Sequence, residues 1–343
     1  MTVAHKPARP SLVARLSALI LGLGFLLVIT MALAANIGAQ PIPLSVIWES
    51  ARTGTQSRLA DIFWHLRLPR VALGAIVGMA LAVAGGSLQG LLMNPLADPY
   101  LVGVSAGAAF GASLATLLHL GGFLGGAGKC LVAFGSGAVT MLVVLWLARD
   151  RRGMQRDSFI LAGVVVGSFM WALVTLVMTL ANQDLQSIVF WLMGNLNGQI
   201  DWAVIAVVGV LVAVGCIGLY SYARDLNLLA LGEEQAKQLG VETERLKTSV
   251  ILYSALVTAA AVSVSGVIGF VGLVIPHMAR KLVGPDHRVL LPVAGILGAG
   301  FLIWADTVAR LIAEIFPVGV LTSLLGAPFF FYLLKRRPIP GGA

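Results

Sequence analysis

Charge is scarce in this chain. Asp, Glu, Lys and Arg together make up 11% of its 343 residues, where soluble domains carry about a quarter. Hydrophobic residues make up 58%, and the mean hydropathy is +0.94. A water-soluble fold of this size would have to expose much of that apolar excess and would aggregate, so the solvent for much of the surface is expected to be lipid. Cysteine is nearly absent as well. Cys130 and Cys216 both sit inside apolar segments without metal-ligand spacing, and they read as two small hydrophobes. His5, His65, His119, His277 and His287 are scattered over expected loops and helix ends. No Ser/His/Asp set can be assembled, so no catalytic residues and no metal site are expected.

One stretch imitates a nucleotide motif and fails in detail. In Gly122-Phe-Leu-Gly-Gly-Ala-Gly128-Lys129-Cys130, position 123 is Phe where a phosphate loop needs its first Gly, and Cys130 replaces the Mg²⁺-binding hydroxyl. The chain is expected to bind neither ATP nor Mg²⁺ itself.

What is plentiful is glycine, 40 residues in all. Gly74 and Gly78, Gly103 and Gly107, and Gly163 and Gly167 repeat a small-xxx-small spacing that lets helix backbones approach closely in lipid. No stretch shows the sustained alternation of a barrel strand. The expectation is an all-α polytopic membrane protein forming one domain over residues 1–343. The net charge of +8 comes from short basic clusters between apolar runs, as the positive-inside rule requires, and does not point to nucleic acid. Lys6, Arg9 and Arg15 precede the apolar run 16–35. That run exceeds the about 7–15 residues of a signal-peptide core, despite a faint cleavage-like Ala32-Leu-Ala34, so a retained first helix is expected.

Five basic clusters set the topology. They are Lys6, Arg9 and Arg15; Arg149, Arg151, Arg152 and Arg156; Arg224, Lys237, Arg245 and Lys247; Arg280, Lys281 and Arg288; and Lys335, Arg336 and Arg337. If all are cytoplasmic, each interval holds an even number of crossings. Crossings are expected near 12–35, 68–92, 99–118, 128–148, 159–181, 202–222, 289–309 and 318–334. Two more fall in 248–279, which is too short for two full helices of about 20 residues each. Gly266, Gly269, Gly272 and Pro276 would supply breaks there. The total is about ten helices, with both termini cytoplasmic. Two Gly/Pro-interrupted segments, around 94–107 and 265–277, occupy corresponding halves of the chain, a pattern that points to a pathway formed by discontinuous helices.

Two regions carry candidate contacts. Residues 223–247 form the longest non-apolar stretch of the cytoplasmic set, and 226–240 has amphipathic helical spacing with Leu228, Leu231, Gln235 and Leu239 near one face. It reads either as a helix lying at the lipid interface or as a short coupling helix docking in a cytosolic motor. On the outer side, Arg67 and Arg70 open the second crossing, with Pro69 suited to a first helical turn, and Arg310 closes the ninth. These arginines either anchor helix ends among headgroups or meet an acidic partner surface. Asp306, four residues before Arg310, would neutralise part of that charge. Acidic residues fall at expected ends and loops, which argues against an ion-coupled secondary transporter.

Taken in order, Arg67-Leu-Pro-Arg70, Gln89, Asn94-Pro-Leu-Ala-Asp-Pro99, Leu101-Val-Gly-Val-Ser-Ala-Gly107, Leu229-Ala-Leu-Gly232, Gly266–His277, Asp286-His-Arg288, Asp306 with Arg310, Pro317-Val-Gly319 and Gly326-Ala-Pro328 follow one pattern. From about residue 60 to 337 the sequence resembles the FecCD-type permeases, which import ferric siderophores, haem and cobalamin. The resemblance implies a type II ABC importer permease fold of ten helices per subunit. It implies a dimer, homodimeric or with a related permease, in a bacterial inner membrane, a cytosolic ATPase pair that binds ATP and Mg²⁺, and a periplasmic or extracellular substrate-binding protein. By position, Arg67, Arg70 and Arg310 would meet glutamates of the binding protein, and Asn94 and Leu96 would belong to a cytoplasmic gate. Leu229, Leu231, Gly232, Glu233, Ala236, Leu239 and Gly240 would contact the ATPase. The sequence departs from the pattern at Gln155-Arg-Asp-Ser158, where the small hydroxyl pair of a second gate element is missing. Iron-siderophore cargo is the expectation, with haem or cobalamin as the alternatives; His65 beside the outer arginines is a lone loop histidine and selects none of them.

Overall fold

Backbone N–H and C=O groups inside hydrocarbon have no water to turn to, so every crossing must satisfy them internally. The chain answers with helices. The computed structural model describes residues 12–38, 41–54, 57–122, 127–150, 153–196, 201–313 and 316–335. Lys6, Arg9, Arg151, Arg152, Glu314, Arg336, Arg337 and residues 123–126 of the glycine-rich run lie outside them. The first helices are α1 (Leu12–Asn36), α2 (Leu44–Thr53), α3 (Arg58–Asp61), α4 (Leu68–Leu91), α5 (Val104–Leu117), α6 (Gly128–Ala148), α7 (Arg156–Leu180) and α8 (Leu185–Leu192). Then follow α9 (Trp202–Ser221), α10 (Ala223–Leu229), α11 (Glu233–Gln238), α12 (Thr243–Ser265), α13 (Val271–Val283), α14 (His287–Ile312) and α15 (Val318–Lys335).

The ten expected crossings coincide with α1, α4, α5, α6, α7, α9, α12, α13, α14 and α15. Among the described residues, seven helices are long and apolar enough to span a bilayer alone. The other three are α5, α13 and α15, of 14, 13 and 18 residues. α4 is the central helix, with 83% of its most apolar window buried, while α1 is peripheral at 17%. α4 packs on α14, α12, α13 and α9, and α5, α6 and α7 form a second group; α12 touches both groups.

Small residues make the central contacts possible. Gly78 of α4 lies on Gly298 of α14, and a Cβ on either would overlap the other's carbonyl; a Cβ on Gly85 of α4 would overlap the carbonyl of Gly272 of α13, and one on Gly272 would meet Pro99. The lost side chains let dispersion contacts form directly between backbones.

Several expectations are corrected. Pro69 does not open its helix. The helix begins at Arg58 and widens to π spacing over Ile62–Arg67. Pro69 has no N–H to donate and its ring crowds the carbonyl four residues back, and the wider turn accommodates both. In 248–279 α12 is a full helix, and the break is confined to Gly266–Phe270, where Gly266 and Phe270 take φ of +67° and +68°. Pro276 sits inside α13 without ending it. The 226–240 stretch is two helices rather than one, because Gly232 adopts φ +119°, ψ 150°, a region essentially closed to other residues. The periodicity does not reveal α8 or the two-residue hairpin of β1 (Arg149–Asp150) and β2 (Gly153–Met154), in which Arg149 pairs with Met154.

Candidate functional site

At one end of the bundle the three arginines come together, and their heads turn inward. The Arg70 guanidinium donates to both carboxylate oxygens of Asp306, with Nε–Oδ1 3.0 Å, Nε–Oδ2 2.9 Å and Nη2–Oδ1 2.7 Å. Arg310 makes an ion pair with the same carboxylate, Nε–Oδ2 3.2 Å, and donates to the Ala34 and Ile37 carbonyls at 3.3 and 3.4 Å. Arg67 donates to the Asn36 carbonyl at 3.0 Å, and its guanidinium fills the space a side chain on Gly38 would take. The last carbonyls of α1 lack intrahelical donors, and cations suit that end of the helix dipole. The cluster therefore clamps the end of α1 onto α4 and α14. Among nearby cations Arg52, Arg58 and His65 are exposed.

Midway through the bundle the two interrupted segments meet. The Tyr100 hydroxyl donates to the Ile268 carbonyl at 2.8 Å and accepts the Ile268 N–H at 3.0 Å. Both backbone groups of Ile268, inside the break at Gly266–Phe270, are thus satisfied from the short 3₁₀ turn Pro99–Val102. A cavity of about 590 Å³ opens beside this break, lined by Leu192, Val267, Gly269, Gly319, Ser323 and Pro328 among others. Its walls are mostly apolar and, among the described residues, carry no ionisable side chain.

At the opposite end, Met93 (φ +46°) reverses the chain after α4. The Asn94 side chain accepts the Leu96 N–H at 3.0 Å and so shapes the turn, with Leu96 half-buried. Gln89, one α4 turn earlier, donates to the carbonyls of Ala97, Gly272 and Leu273 at 3.2–3.4 Å and accepts from Arg280 at 3.2 and 3.3 Å.

The stretch 223–247 lies at the same end and divides its residues between two roles. Leu229 and Ala236 are fully buried and hold α10 and α11 to the bundle, whereas Leu231 and Leu239 are 63% and 59% exposed. Gly232 and Gly240, both with positive φ, frame α11. Burial disfavours ionisation of Glu233, but the Lys247 and Lys237 ammoniums outweigh it and hold its carboxyl below the usual range. Lys247 itself is buried and donates to Glu233, Glu244 and the Met154 carbonyl at 2.8, 2.9 and 3.1 Å. The sequence offers the i,i+3 spacing of Glu244 and Lys247, but nothing in it announces that Glu233 or Met154 joins them. Residues 155–158 lead out of the hairpin into the first turn of α7.

The likeness to known proteins runs along nearly the whole chain. The family model described as the FecCD transport family matches residues 26–336. The chain belongs to the FecCD transport family. The hemin transport system permease protein HmuU of Yersinia pestis is 41% identical over 324 residues, covering 92% of this chain and 95% of that one. The cobalamin import system permease protein BtuC of Halobacterium salinarum is 41% identical over 304 residues, 88% of this chain and 81% of that one. The iron(3+)-hydroxamate import system permease protein FhuB of Bacillus subtilis is 39% identical over 311 residues, 89% of this chain and 79% of that one. Among solved structures, a metal-chelate type ABC transporter in an inward-facing conformation superposes with a TM-score of 0.77 at 34% identity, over 94% of this chain and 100% of that one. This FecCD protein is therefore an ABC importer permease, a membrane transport component rather than an enzyme, with the type II permease fold.

Proposed function

We propose that the chain forms, as a homodimer, the membrane pathway of an importer for an iron-siderophore-type chelate, driven by a separate ATPase pair that carries ATP and Mg²⁺. The basic end faces the cytoplasm and the arginine clamp faces outward. The exposed Leu231 and Leu239, presented on a loop that Lys247 holds in place through Glu233 and Glu244, carry the reading: they offer an apolar contact where a cytosolic motor would dock. The cavity beside the interrupted helices, uncharged and open, suits a bulky chelate whose own donors are already taken up by its metal. On this reading the turn at Asn94 and Leu96 is the cytoplasmic gate.

Three guanidiniums against one carboxylate leave the outer cluster with a surplus of two positive charges. That surplus would steer an acidic binding protein, and Arg67, Arg70 and Arg310 would contact it directly only by exchanging their present acceptors for its carboxylates. The test is reconstitution of the chain with its ATPase and binding protein in liposomes. ATP-dependent uptake of a ferric siderophore is expected. Uptake of haem or cobalamin in its place would reassign the cargo, and uptake that survives vanadate but stops with an uncoupler would overturn the motor-driven reading.

A further inference from the structure

Two polar fastenings join the 223–247 loop to the bundle, and they lead to different groups of helices. The first is built on Lys247. Its side chain is 9% exposed, and its three acceptors come from three places: Glu233 in the first turn of α11, Glu244 on α12, and the Met154 carbonyl on β2. Glu244 closes the loop by accepting the Met154 N–H at 2.9 Å. A side chain on Gly153 would collide with that carboxylate, 2.8 Å from its carbon. One ammonium thus clamps α11 to the hairpin that joins α6 to α7. A buried ammonium stripped of an acceptor is strongly disfavoured, so the clamp behaves as a unit.

The second fastening is built on Asn227 of α10. Its amide donates to Asp286 Oδ1 at 2.6 Å, and its carbonyl oxygen accepts the His287 N–H at 2.9 Å and lies 2.8 Å from His287 Nδ1. Asp286 caps α14, and the Arg288 guanidinium and the Asn227 amide hold its carboxyl well below the usual range. The His287 ring lies against Gly90 of α4, where a Cβ would stand 3.0 Å from Cε1. Gln89, the neighbour of Gly90, reaches the 93–98 turn through the Ala97 carbonyl and α13 through the Gly272 and Leu273 carbonyls. Asn227 therefore leads into α4, α13 and α14, and Lys247 into α6 and α7. Between the two fastenings stands Gly232.

We infer that α10 and α11 are two separately fastened levers, so that a push on this loop is divided at Gly232, with α11 moving the 149–158 segment through Lys247 and α10 moving the 93–98 turn through Asn227. α12, packed on both groups, is the fulcrum. The inference rests on the reading of the chain as a motor-driven permease and adds the positioning residues that pass the motion on.

Hydrogen exchange on the assembled complex, with and without a non-hydrolysable ATP analogue, tests it. In the unaltered protein the analogue should change exchange at both 153–158 and 93–98, by about fivefold or more. In Lys247→Met the response at 153–158 should vanish while that at 93–98 persists; in Asn227→Leu the pattern should reverse. Glu233→Leu removes the one acceptor on α11 while Lys247 keeps those of Glu244 and Met154, so it frees α11 from the hairpin, and should repeat the Lys247→Met result even if that variant misfolds. Loss of both responses together, or of neither, in these variants overturns the two-lever inference. An unaltered protein that assembles with no ATPase, or shows no nucleotide response at all, instead overturns the reading beneath it.

Discussion

Where α4 begins, Arg67, Arg70 and Arg310 turn inward onto Asp306 and the last carbonyls of α1. At the other end Glu233 and Glu244 pair with Lys247, and Leu231 and Leu239 of the same loop stand exposed. Both ends have an amphipathic or charged sequence that reads equally well as a partner-binding surface. The difference is what the side chains do in the unpartnered chain. The arginine end uses its polar groups to fix helix termini, and the loop end uses its polar groups to hold a shape that presents apolar surface. An apolar contact with nothing of its own to cover it is the stronger pointer to a partner.

The sharpest way to break this contrast is Asp306→Ala. Two guanidiniums, 15% and 12% exposed, would lose their carboxylate, and removing one member of a buried ion pair costs about 3–5 kcal/mol. Thermal unfolding in detergent should show a large fall in Tm; an unchanged Tm would mean the cluster does not hold α1. Converting Leu231 and Leu239 together to Asp should do the opposite. Stability should stay within about 0.5 kcal/mol, as for exposed sites, while co-purification with the ATPase is lost, since each leucine buried at a contact contributes about 1.5–3 kcal/mol. Retained co-purification would remove the leucines from the docking surface.

Smaller effects sharpen the comparison within the loop end. Gly232→Ala forces a side chain into φ +119°, a strain of about 1–3 kcal/mol, and should lower Tm modestly while reducing uptake more than stability. An equal loss of both would reduce Gly232 to an ordinary helix cap. Acid is the mildest perturbation. The Glu233 carboxyl is held below its ordinary value of 4.5, so its stabilisation is present above that value and fades as pH falls through the lowered one. Protection of the 233–240 amides, relative to their intrinsic exchange, should therefore weaken below about pH 4.5, and Glu233→Gln should reduce that pH dependence to the part carried by Glu244. A variant that retains all of it would assign the titration to another group.

The crossings were legible because lipid imposes length and composition on each helix, and the breaks at Met93–Gly103 and Gly266–Phe270 because Pro fixes φ and lacks an N–H while Gly readily takes the positive φ that other residues avoid. The π-widened turn before Pro69 was not, because a helix can either start at Pro or widen ahead of it, and the sequence looks the same. Leu228, Leu231, Gln235 and Leu239 suggested one helix face, since periodicity does not register a single residue at positive φ; Gly232 rotated α11 away from α10. The candidate arginines were legible as a group, but not the direction of their heads, which depends on α1 ending beside them about 30 residues upstream of Arg67 and more than 270 upstream of Arg310. The Lys247 clamp joins Met154 to a residue 93 positions later, a pairing no local pattern announces.

The arrangement around Asn36 also decides what α1 is for. Through most of its length this helix offers little to the bundle, and Gly22 and Gly24 have no neighbour within 4 Å of a would-be side chain. Its final carbonyls, by contrast, receive bonds from two guanidiniums rooted on α4 and α14. Shortening the chain from its start would first remove the packing of Ile20, Leu23, Leu27 and Met31, and a cut that reached Ala34 would also strand cations inside the protein. The first helix thus behaves as a peg whose tip is fastened by charge and whose shaft is held by apolar contact alone.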